Sequence, residues 1–380
     1  MVGGLFIFSG FIKANDTIGF SYKLEEYFQV FKEATHLGLF DWFAHISLPL
    51  AIIICASEII LGIFLLIGYK RNLTLWLLFA QIAFFTFLTF YSACYNKVTH
   101  CGCFGDFLQL KPWESFWKDI ALMILITLLF AGRENINEIA APMMMASFAL
   151  IGVIASIWFP IYTYRNLPIF DFRPYAIGMN IKKNMEKGAG YKEAEYKTLM
   201  VYKKVKDSDA KKEMTQEEYM KSKIWEDTLV WKFDTMITTV VHEAINAPKI
   251  AEFSVTNIDD VNVTDSLLNN KDYNYWLVLY DLAKADEDET LQAKINDFYK
   301  LATQDKVKFI ALTGSSPKEI DNFKHKHNAL YDFVRVDATV LKTMIRSNPG
   351  LILIKDATII KNWHHNNFPT YSDAKQKFMK

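Results

Sequence analysis

The sequence has few cysteines and no surplus of charge of either sign. Only four of its 380 residues are cysteines, and 42 Lys and Arg residues balance 42 Asp and Glu residues. Four cysteines are too few for a disulfide scaffold, and a net charge of zero gives no reason to expect nucleic acid as a partner. A phosphate-binding glycine loop, a Gly-x-Ser-x-Gly elbow and a His-Glu-x-x-His motif are also absent. The sequence therefore gives no indication of nucleotide-dependent, serine-hydrolase or zinc-peptidase chemistry.

The chain has two halves of different composition. Residues 1–164 are strongly apolar, whereas residues 165–380 contain most of the Lys, Asp and Glu. A helix needs about 20 apolar residues to cross the hydrocarbon core of a membrane. Five segments are candidates, and the first of them is short: residues 1–12, 46–67, 73–93, 116–131 and 142–162. The sequence predicts an α-helical membrane bundle with four to five transmembrane helices, followed by a soluble α/β part.

Basic residues in the short connections predict the orientation of the bundle. Lys70, Arg71 and Arg133 lie in loops that we expect to be cytoplasmic, because Lys and Arg are retained on that side. The loop at residues 94–115 and everything after residue 162 would then lie outside. We expect a membrane protein, in contact with lipids, whose cysteine loop and C-terminal domain share the oxidising compartment outside the membrane. Disulfides persist in that compartment.

Glu58 is a carboxylic acid inside a predicted span. Such a residue is costly in a membrane and usually faces the interior of a bundle. It could form a proton-handling or polar substrate site, or it could make a helix–helix hydrogen bond, with Gln81 as the partner. Gly62, one turn further on, lies on the same face and would allow close helix packing.

Cys101-Gly102-Cys103 lies between two apolar segments, close to Cys94. An exchanging pair, Cys101 with Cys103, could use Cys94 as its partner, since a small strained disulfide tends to be oxidising. Alternatively, Cys94 could form a structural disulfide with either residue. A metal site with His100 is disfavoured because adjacent ligands crowd one ion, and we expect no metal.

Three stretches together resemble the DoxX/MauE group of small bacterial membrane proteins over residues 1–132. They are Phe6-Ile-Phe-Ser-Gly-Phe-Ile-Lys13, Glu58-Ile-Ile-Leu-Gly62 and Cys101-Gly-Cys-Phe-Gly105. The resemblance implies a four-helix bundle in the bacterial cytoplasmic (inner) membrane, which with the orientation above would place the C-terminal domain in the periplasm. It also implies disulfide formation or periplasmic thiol chemistry, and Glu58, Cys101 and Cys103 as site residues. A weaker similarity to the quinone-linked vitamin K epoxide reductase bundles makes a quinone a candidate cofactor, although their Cys-x-x-Cys pair is absent here.

The last part of the chain has a regular alternation of strand and helix patterns. The order from residue 275 is β-α-β-α-β-α-β-β, with a buried first strand and a terminal hairpin. With Asn348-Pro-Gly-Leu-Ile-Leu-Ile354, this resembles the TlpA branch of the thioredoxin fold over residues 248–380. The resemblance implies a cis peptide at Pro349. Asp281-Leu-Ala-Lys284 stands where the family has Cys-x-x-Cys, so this domain cannot perform the family's thiol chemistry.

Two further segments complete the predicted organisation, a final membrane helix with a tether (133–164) and an extracytoplasmic α+β linker (165–247). His364 and His365 end the last predicted strand. Neighbouring strand residues point to opposite faces, so we expect the two imidazoles to lie apart.

These observations lead to one main hypothesis and two alternatives for function. The main one is thiol–disulfide exchange with a periplasmic client through Cys101 and Cys103, with Cys94 as a third thiol. The first alternative is a non-enzymatic scaffold whose thioredoxin-like domain binds a periplasmic partner protein through Pro349, His364 and His365. The second is a bundle that binds a lipid or quinone around Glu58 and Gln81.

Overall fold

The computed structural model describes most of the chain in two compact units. The described residues are 1–95, 98, 104–108, 110–205, 210–242, 244–285 and 288–379. The first unit contains residues 1–182 and 252–380, and the second contains residues 183–251. The first unit therefore holds both the apolar half of the chain and its last α/β domain.

The apolar half forms a bundle of α-helices. In chain order they are α1 (Val2–Asn15), α2 (Thr17–Thr35), α3 (Leu39–His45), α4 (Ser47–Ile67), α5 (Arg71–Tyr95), α6 (Pro112–Ala131) and α7 (Pro142–Arg165). Pro at the first position of α6 and of α7 suits a helix start, where no amide donor is needed. Gly68 ends α4 in the left-handed conformation that glycine adopts readily.

Three described helices are long and apolar enough to cross a membrane, namely α4, α5 and α7. By length and composition alone, these three of the predicted spans qualify, and α1 is a further, shorter apolar helix. Helix α1 has only 14 residues, and α6 carries Glu114, Lys118 and Asp119 in its first half. Helices α1 and α6 nevertheless pack into the bundle, because Phe6 of α1 and Ile126 of α6 are buried in one apolar cluster with Leu78 of α5.

Glycines bring α1 and α4 close together. A Cβ atom added to Gly62 would lie 2.6 Å from the carbonyl oxygen of Gly3, and one added to Gly10 would lie 2.8 Å from the Cβ of Glu58. These contacts are with backbone or with a Cβ, so neither can move aside easily. The prediction that Gly62 permits close packing is confirmed, and this packing brings the end of α1 beside Glu58.

The last domain has a thioredoxin-like topology. Its five strands are β4 (Tyr273–Leu279), β5 (Lys308–Thr313), β6 (Asp332–Arg335), β7 (Gly350–Lys355) and β8 (Thr358–His364), and they lie in the order β6-β5-β4-β7-β8. β4 pairs parallel to β5 and antiparallel to β7. The peptide before Pro349 is cis. The predicted strand order and cis-proline are confirmed, while the narrower TlpA assignment stays a prediction.

The central strand β4 explains why this sequence folds as a buried sheet. Residues 275–279 are fully buried, because helices cover both faces of the sheet. The helices of the domain are α10 (Thr264–Leu268), α11 (Leu282–Ala285), α12 (Glu289–Gln304), α13 (Pro317–His327), α14 (Ala338–Met344) and α15 (Tyr371–Phe378). Ser316 and Glu319 form a capping box that starts α13.

The second compact unit contains a small antiparallel sheet. Strands β1 (Glu195–Lys204), β2 (Lys211–Thr215) and β3 (Trp231–His242) lie in the order β2-β1-β3. Helix α9 (Gln216–Ser222) follows β2, and Tyr202, Met214 and Ile224 form the buried centre. The short helix α8 (Ile181–Met185) lies at the boundary of the two units.

The glycine contact between α1 and α4 makes a stability prediction. We expect Gly62→Ala to lower the free energy of unfolding by about 1–3 kcal/mol, because the added methyl meets backbone and the helices must separate. Gly4→Ala is the matched control, since a Cβ there meets nothing within 4 Å. Unfolding in one mild detergent measures both variants. Equal midpoints for the two would contradict the close packing.

Candidate functional site

Glu58 is paired with Lys13 inside the bundle. The Lys13 ammonium at the end of α1 donates to Glu58 Oε1 on α4, and each side chain is only 2% exposed. Gln81 donates instead to Ser57 Oγ at 2.9 Å, so Glu58 makes its helix–helix contact with Lys13 and not with Gln81. Lys13 is a site residue that sequence reasoning missed. Burying two charged groups in a protein is costly, and the cost is offset only when the charges pair with each other. The Lys13–Glu58 pair therefore fixes α1 against α4.

A small cavity lies on this ion pair. It has a volume of about 60 Å³. The Lys13 ammonium lies 4.4 Å from the centroid of the Phe85 ring, a cation–π distance. Within the described residues, Glu58 Oε2 is buried without a hydrogen-bond partner. The cavity has room for a few water molecules.

A quinone does not fit this cavity. Cofactor pockets usually measure about 300–1,000 Å³, several times the volume found beside Glu58. The polar groups and rings would suit a quinone head group chemically, but the space does not suit the molecule. We therefore derive no step that uses one.

A second ion pair lies on the same cavity. Lys118 Nζ lies 2.6 Å from Asp119 Oδ1, and Asp119 is fully buried. Thr89 donates to the other Asp119 oxygen at 3.1 Å. The Lys118 ammonium is 5.3 Å from the centroid of the Phe104 ring. The cavity thus collects two ammonium groups and two carboxylates from α1, α4 and α6.

The residues that follow the cysteines contact both the cavity in the bundle and the thioredoxin-like domain. Cys101 and Cys103 themselves lie outside the described residues, while Cys94 is exposed at the end of α5. Phe104 lines the cavity on the Lys13–Glu58 pair. Gly105 has φ of +51°, which favours glycine. Asp106 then reaches Arg346 of the thioredoxin-like domain, with its Oδ2 3.4 Å from Nη2.

Arg346 joins the thioredoxin-like domain to the start of α2. Its Nε is 3.0 Å from each Asp16 oxygen, and its Nη2 is 2.8 Å from Oδ2. Asp16 also caps α2 by accepting from the Gly19 amide at 2.9 Å. Burial alone would raise the pKa of Asp16, but the guanidinium outweighs it and lowers that pKa. Burial raises the pKa of Asp106, although Arg346 opposes the shift.

Tyr22 of α2 strengthens the same contact. Its hydroxyl donates to the Tyr280 hydroxyl at 3.1 Å, just after strand β4. The Lys342 ammonium lies 4.9 Å from the centroid of the Tyr22 ring. Burial, and then the neighbouring Tyr280, raise the pKa of Tyr22 far above its ordinary value, so it stays neutral. The end of β4 is therefore in contact with α2.

The cis-proline loop is tied to the segment that replaces Cys-x-x-Cys. The Asn348 side chain donates to the Asp281 carbonyl at 2.6 Å and accepts from its amide at 3.3 Å. Ser347 Oγ donates to the Pro349 carbonyl at 2.6 Å, and Pro349 is buried. Asp281–Lys284 is thus held in place although it carries no thiol.

His364 and His365 lie against each other rather than apart. Their ring centroids are separated by 4.0 Å, so the expectation of opposite faces is wrong. The reason is that β8 ends at His364 and His365 begins a 3-10 turn. Ser347 Oγ is 3.0 Å from His365 Nδ1. Burial, and then the neighbouring His365, lower the pKa of His364 to about 3.

The family comparison matches the first part of the chain. Residues 1–132 match the family model of the methylamine utilisation protein MauE. This confirms the resemblance of that segment, which is 132 of the 380 residues. The search among curated proteins gives no match. The MauE-like segment carries Lys13, Glu58 and Phe104, and it ends with α6.

Two solved structures are similar to part of the chain. One is a candidate protein disulfide isomerase from Bacteroides thetaiotaomicron, 14% identical, covering 33% of this chain and 81% of that one at a TM-score of 0.27. The other is yeast Sco1, 10% identical, covering 33% and 90% at a TM-score of 0.25. TM-scores this low do not establish a shared fold. The thioredoxin-like topology is given instead by the order of the five strands in the sheet.

The buried ion pair predicts a large effect of removing one charge. We expect Glu58→Leu to cost about 3–5 kcal/mol in the free energy of unfolding, because Lys13 is left charged and buried. Lys13→Met with Glu58→Leu should recover most of that loss. Lys32→Met is the control, since the Lys32–Asp41 pair is about half exposed and should cost less than about 1 kcal/mol. Equal losses for Glu58→Leu and Lys32→Met in detergent unfolding would exclude this role.

His364 predicts a dependence of stability on pH. Its folded pKa of about 3 lies below the ordinary 6.5, so the unfolded chain binds the proton first. Stability should be intact above pH 6.5 and should decrease as the pH falls towards 3. His364→Asn keeps an acceptor for the Asn366 amide and should flatten this dependence, whereas the exposed His325→Asn should not. Thermal unfolding against pH tests it; identical slopes for wild type and His364→Asn would refute it.

Proposed function

We propose that this chain is a bacterial inner-membrane component of thiol–disulfide exchange that acts through Cys101 and Cys103, with its thioredoxin-like domain in the periplasm. One observation carries the proposal. The residues that follow Cys103 connect a buried acid–base cavity, through Phe104, to the cis-proline region of a thioredoxin-like domain, through Asp106. The described contacts thus link the cysteine loop to both halves of the protein.

The exchange step balances without a further cofactor. A client thiolate attacks one sulfur of the Cys101–Cys103 disulfide, forms a mixed disulfide and releases the other sulfur as a thiolate. A second client thiolate then attacks the client sulfur of this mixed disulfide, forms the client disulfide and releases the loop cysteine as a thiolate. The client loses two electrons and becomes a disulfide, while the loop gains them and becomes a dithiol with the two protons. Exchange with another oxidised protein disulfide reverses the change.

The charges near Phe104 suit this chemistry. A cation near a cysteine favours its thiolate, which is the reactive form. Lys118 lies beside Phe104, and Lys13 lies on the same cavity. This arrangement supports a role in stabilising whichever thiolate leaves.

A client segment has a place to bind beside this loop. A cleft of about 480 Å³ is lined by Lys23, Glu26, Asp106 and Lys342, among others. That volume lies within the usual range for ligand pockets. Its walls come from α2, from the segment after the cysteines and from α14. A client held there would lie next to Asp106, three residues from Cys103.

A scaffold without thiol exchange is the second candidate. The observation that favours it is the loss of both cysteines at Asp281–Lys284. The partner would not bind through the predicted set of Pro349, His364 and His365. Pro349 and His364 are buried, and His365 is partly exposed. A partner that co-purifies in equal amount after all four cysteines are replaced would support this candidate.

The exchange proposal makes a trapping prediction. Replacing one cysteine of the pair leaves a lone thiolate that can attack the disulfide of the oxidised exchange protein but has no second thiol to resolve the mixed disulfide, so Cys101→Ser or Cys103→Ser should accumulate an adduct with that protein. Non-reducing gels of cells quenched with acid and alkylated would show it as a band lost on reduction. Cys55→Ser is the control, because Cys55 is buried in α4, and it should resemble wild type. If neither loop variant forms an adduct, the exchange proposal fails.

A further inference from the structure

The cavity beside the two ion pairs of the bundle contains a buried oxygen that needs a hydrogen-bond donor. Glu58 is 2% exposed, and its Oε1 accepts from Lys13. Its Oε2 has no hydrogen-bond partner among the described residues. Burying a carboxylate oxygen in this state costs free energy, and a donor inside the cavity would remove that cost. The unpaired oxygen therefore indicates a ligand in the space that Glu58 lines.

The charges around the cavity restrict what that ligand can be. Lys13 and Lys118 supply two ammonium groups, and Glu58 and Asp119 supply two carboxylates, so the four charges cancel. A cation or an anion would add an uncompensated charge to this buried site. A purely apolar molecule would leave Glu58 Oε2 unpaired. The lining therefore suits a small neutral molecule that donates and accepts hydrogen bonds.

Water meets this requirement and fits the space. One buried water molecule needs a cavity of about 10–15 Å³, and this cavity has a volume of about 60 Å³. A buried water molecule also needs about two to four polar partners. Glu58 and Asp119 can accept from it, and the ammonium groups of Lys13 and Lys118 can donate to it. Cavities that stay empty in proteins have apolar linings, unlike this one.

Water in this cavity would also connect two pairs of helices. The Lys13–Glu58 pair joins α1 to α4, and the hydrogen bond from Thr89 to Asp119 joins α5 to α6. Glu58 and Asp119 line the same cavity. A bridging water molecule is nearly as favourable in enthalpy as a direct hydrogen bond. Water that donates to both carboxylates would therefore combine the two ion pairs.

We propose that this cavity is a water-binding site, in which bound water donates to Glu58 Oε2 and joins the Lys13–Glu58 and Lys118–Asp119 pairs into one hydrogen-bond network. The apolar bundle thus holds a hydrated charge cluster in contact with Phe104. The water site is independent of the proposed thiol exchange, because no cysteine takes part in it.

Hydroxyl-radical labelling of the full chain in mild detergent tests for the bound water. An X-ray pulse produces the radicals from water, so a buried side chain is oxidised efficiently when water lies beside it. Phe6 and Phe85 line the cavity and are 4% and 7% exposed. Phe31 is the matched control, since it is 9% exposed and does not line this cavity. We expect mass spectrometry to show several-fold faster oxidation of Phe6 and Phe85 than of Phe31.

Two substitutions at Ser9 test whether the labelling comes from the cavity. Ser9 lines the cavity from α1. Ser9→Leu fills the space and displaces water, so the oxidation of Phe6 and Phe85 should decrease to the rate of Phe31. Ser9→Ala removes the same hydroxyl group but leaves the space open, and it should retain the fast oxidation.

A double-mutant cycle tests the connection between the two ion pairs. The effect of Glu58→Gln with Asp119→Asn on the unfolding equilibrium constant should differ about tenfold from the product of the two single effects, because both act on one network. Glu58→Gln with Asp41→Asn is the control, since the Lys32–Asp41 pair is about half exposed and lies outside the cavity. The effects of these two changes should multiply.

Oxidation of Phe6 and Phe85 no faster than that of Phe31 in the wild-type protein would overturn the water site. Fast oxidation that persists in Ser9→Leu would also overturn it. Independent effects of Glu58→Gln and Asp119→Asn would overturn the network. The wild-type comparison needs no variant, so it remains decisive even where a substitution prevents folding.

Discussion

The ion pair between Asp16 and Arg346 is the contact on which the arrangement of the first unit depends. Asp16 lies in a short turn between α1 and α2, and its neighbours bond to three other parts of the chain. Lys13 pairs with Glu58, the Ala14 carbonyl accepts from Thr163, and the Asn15 side chain accepts from the Phe170 amide at 3.0 Å. Four consecutive residues thus hold α4, α7, the segment after α7 and the thioredoxin-like domain. Hydrogen bonds in such a buried network strengthen one another, and loss of one partner is costly.

The thioredoxin-like domain contains no cysteine, and its cis-proline loop is tied to the end of β4. Asn348 still bonds to Asp281 across the position where Cys-x-x-Cys would stand. The same end of the domain contacts the bundle through Tyr280 and Arg346. In this account the sulfur chemistry belongs to the MauE-like segment, and the domain supplies a fixed surface beside it. All four cysteines lie within the first 103 residues.

Local patterns in the sequence predict the helices and strands well. They do not predict which charged residues pair with each other across the fold. The buried run of β4 and the order of strands follow from hydrophobic pattern and turn residues, and Gly62 indicates close packing. The partner of Glu58 is not predictable in this way, because Lys13 lies 45 residues away on another helix. Arg346 carries no signal at all, since a single arginine after a helix is ordinary. The prediction that the imidazoles of His364 and His365 lie apart is wrong because β8 ends at His364, one residue earlier than the pattern suggests.

The redox behaviour of the cysteine loop is the most direct test of this account. The purified chain would be equilibrated in glutathione buffers of graded ratio, and differential alkylation with mass spectrometry would assign the bonding of Cys94, Cys101 and Cys103. The account predicts a reversible change of Cys101 and Cys103 together from dithiol to disulfide, while Cys94 stays a thiol. A permanent bond from Cys94 to Cys101 or Cys103 over the whole range would contradict it.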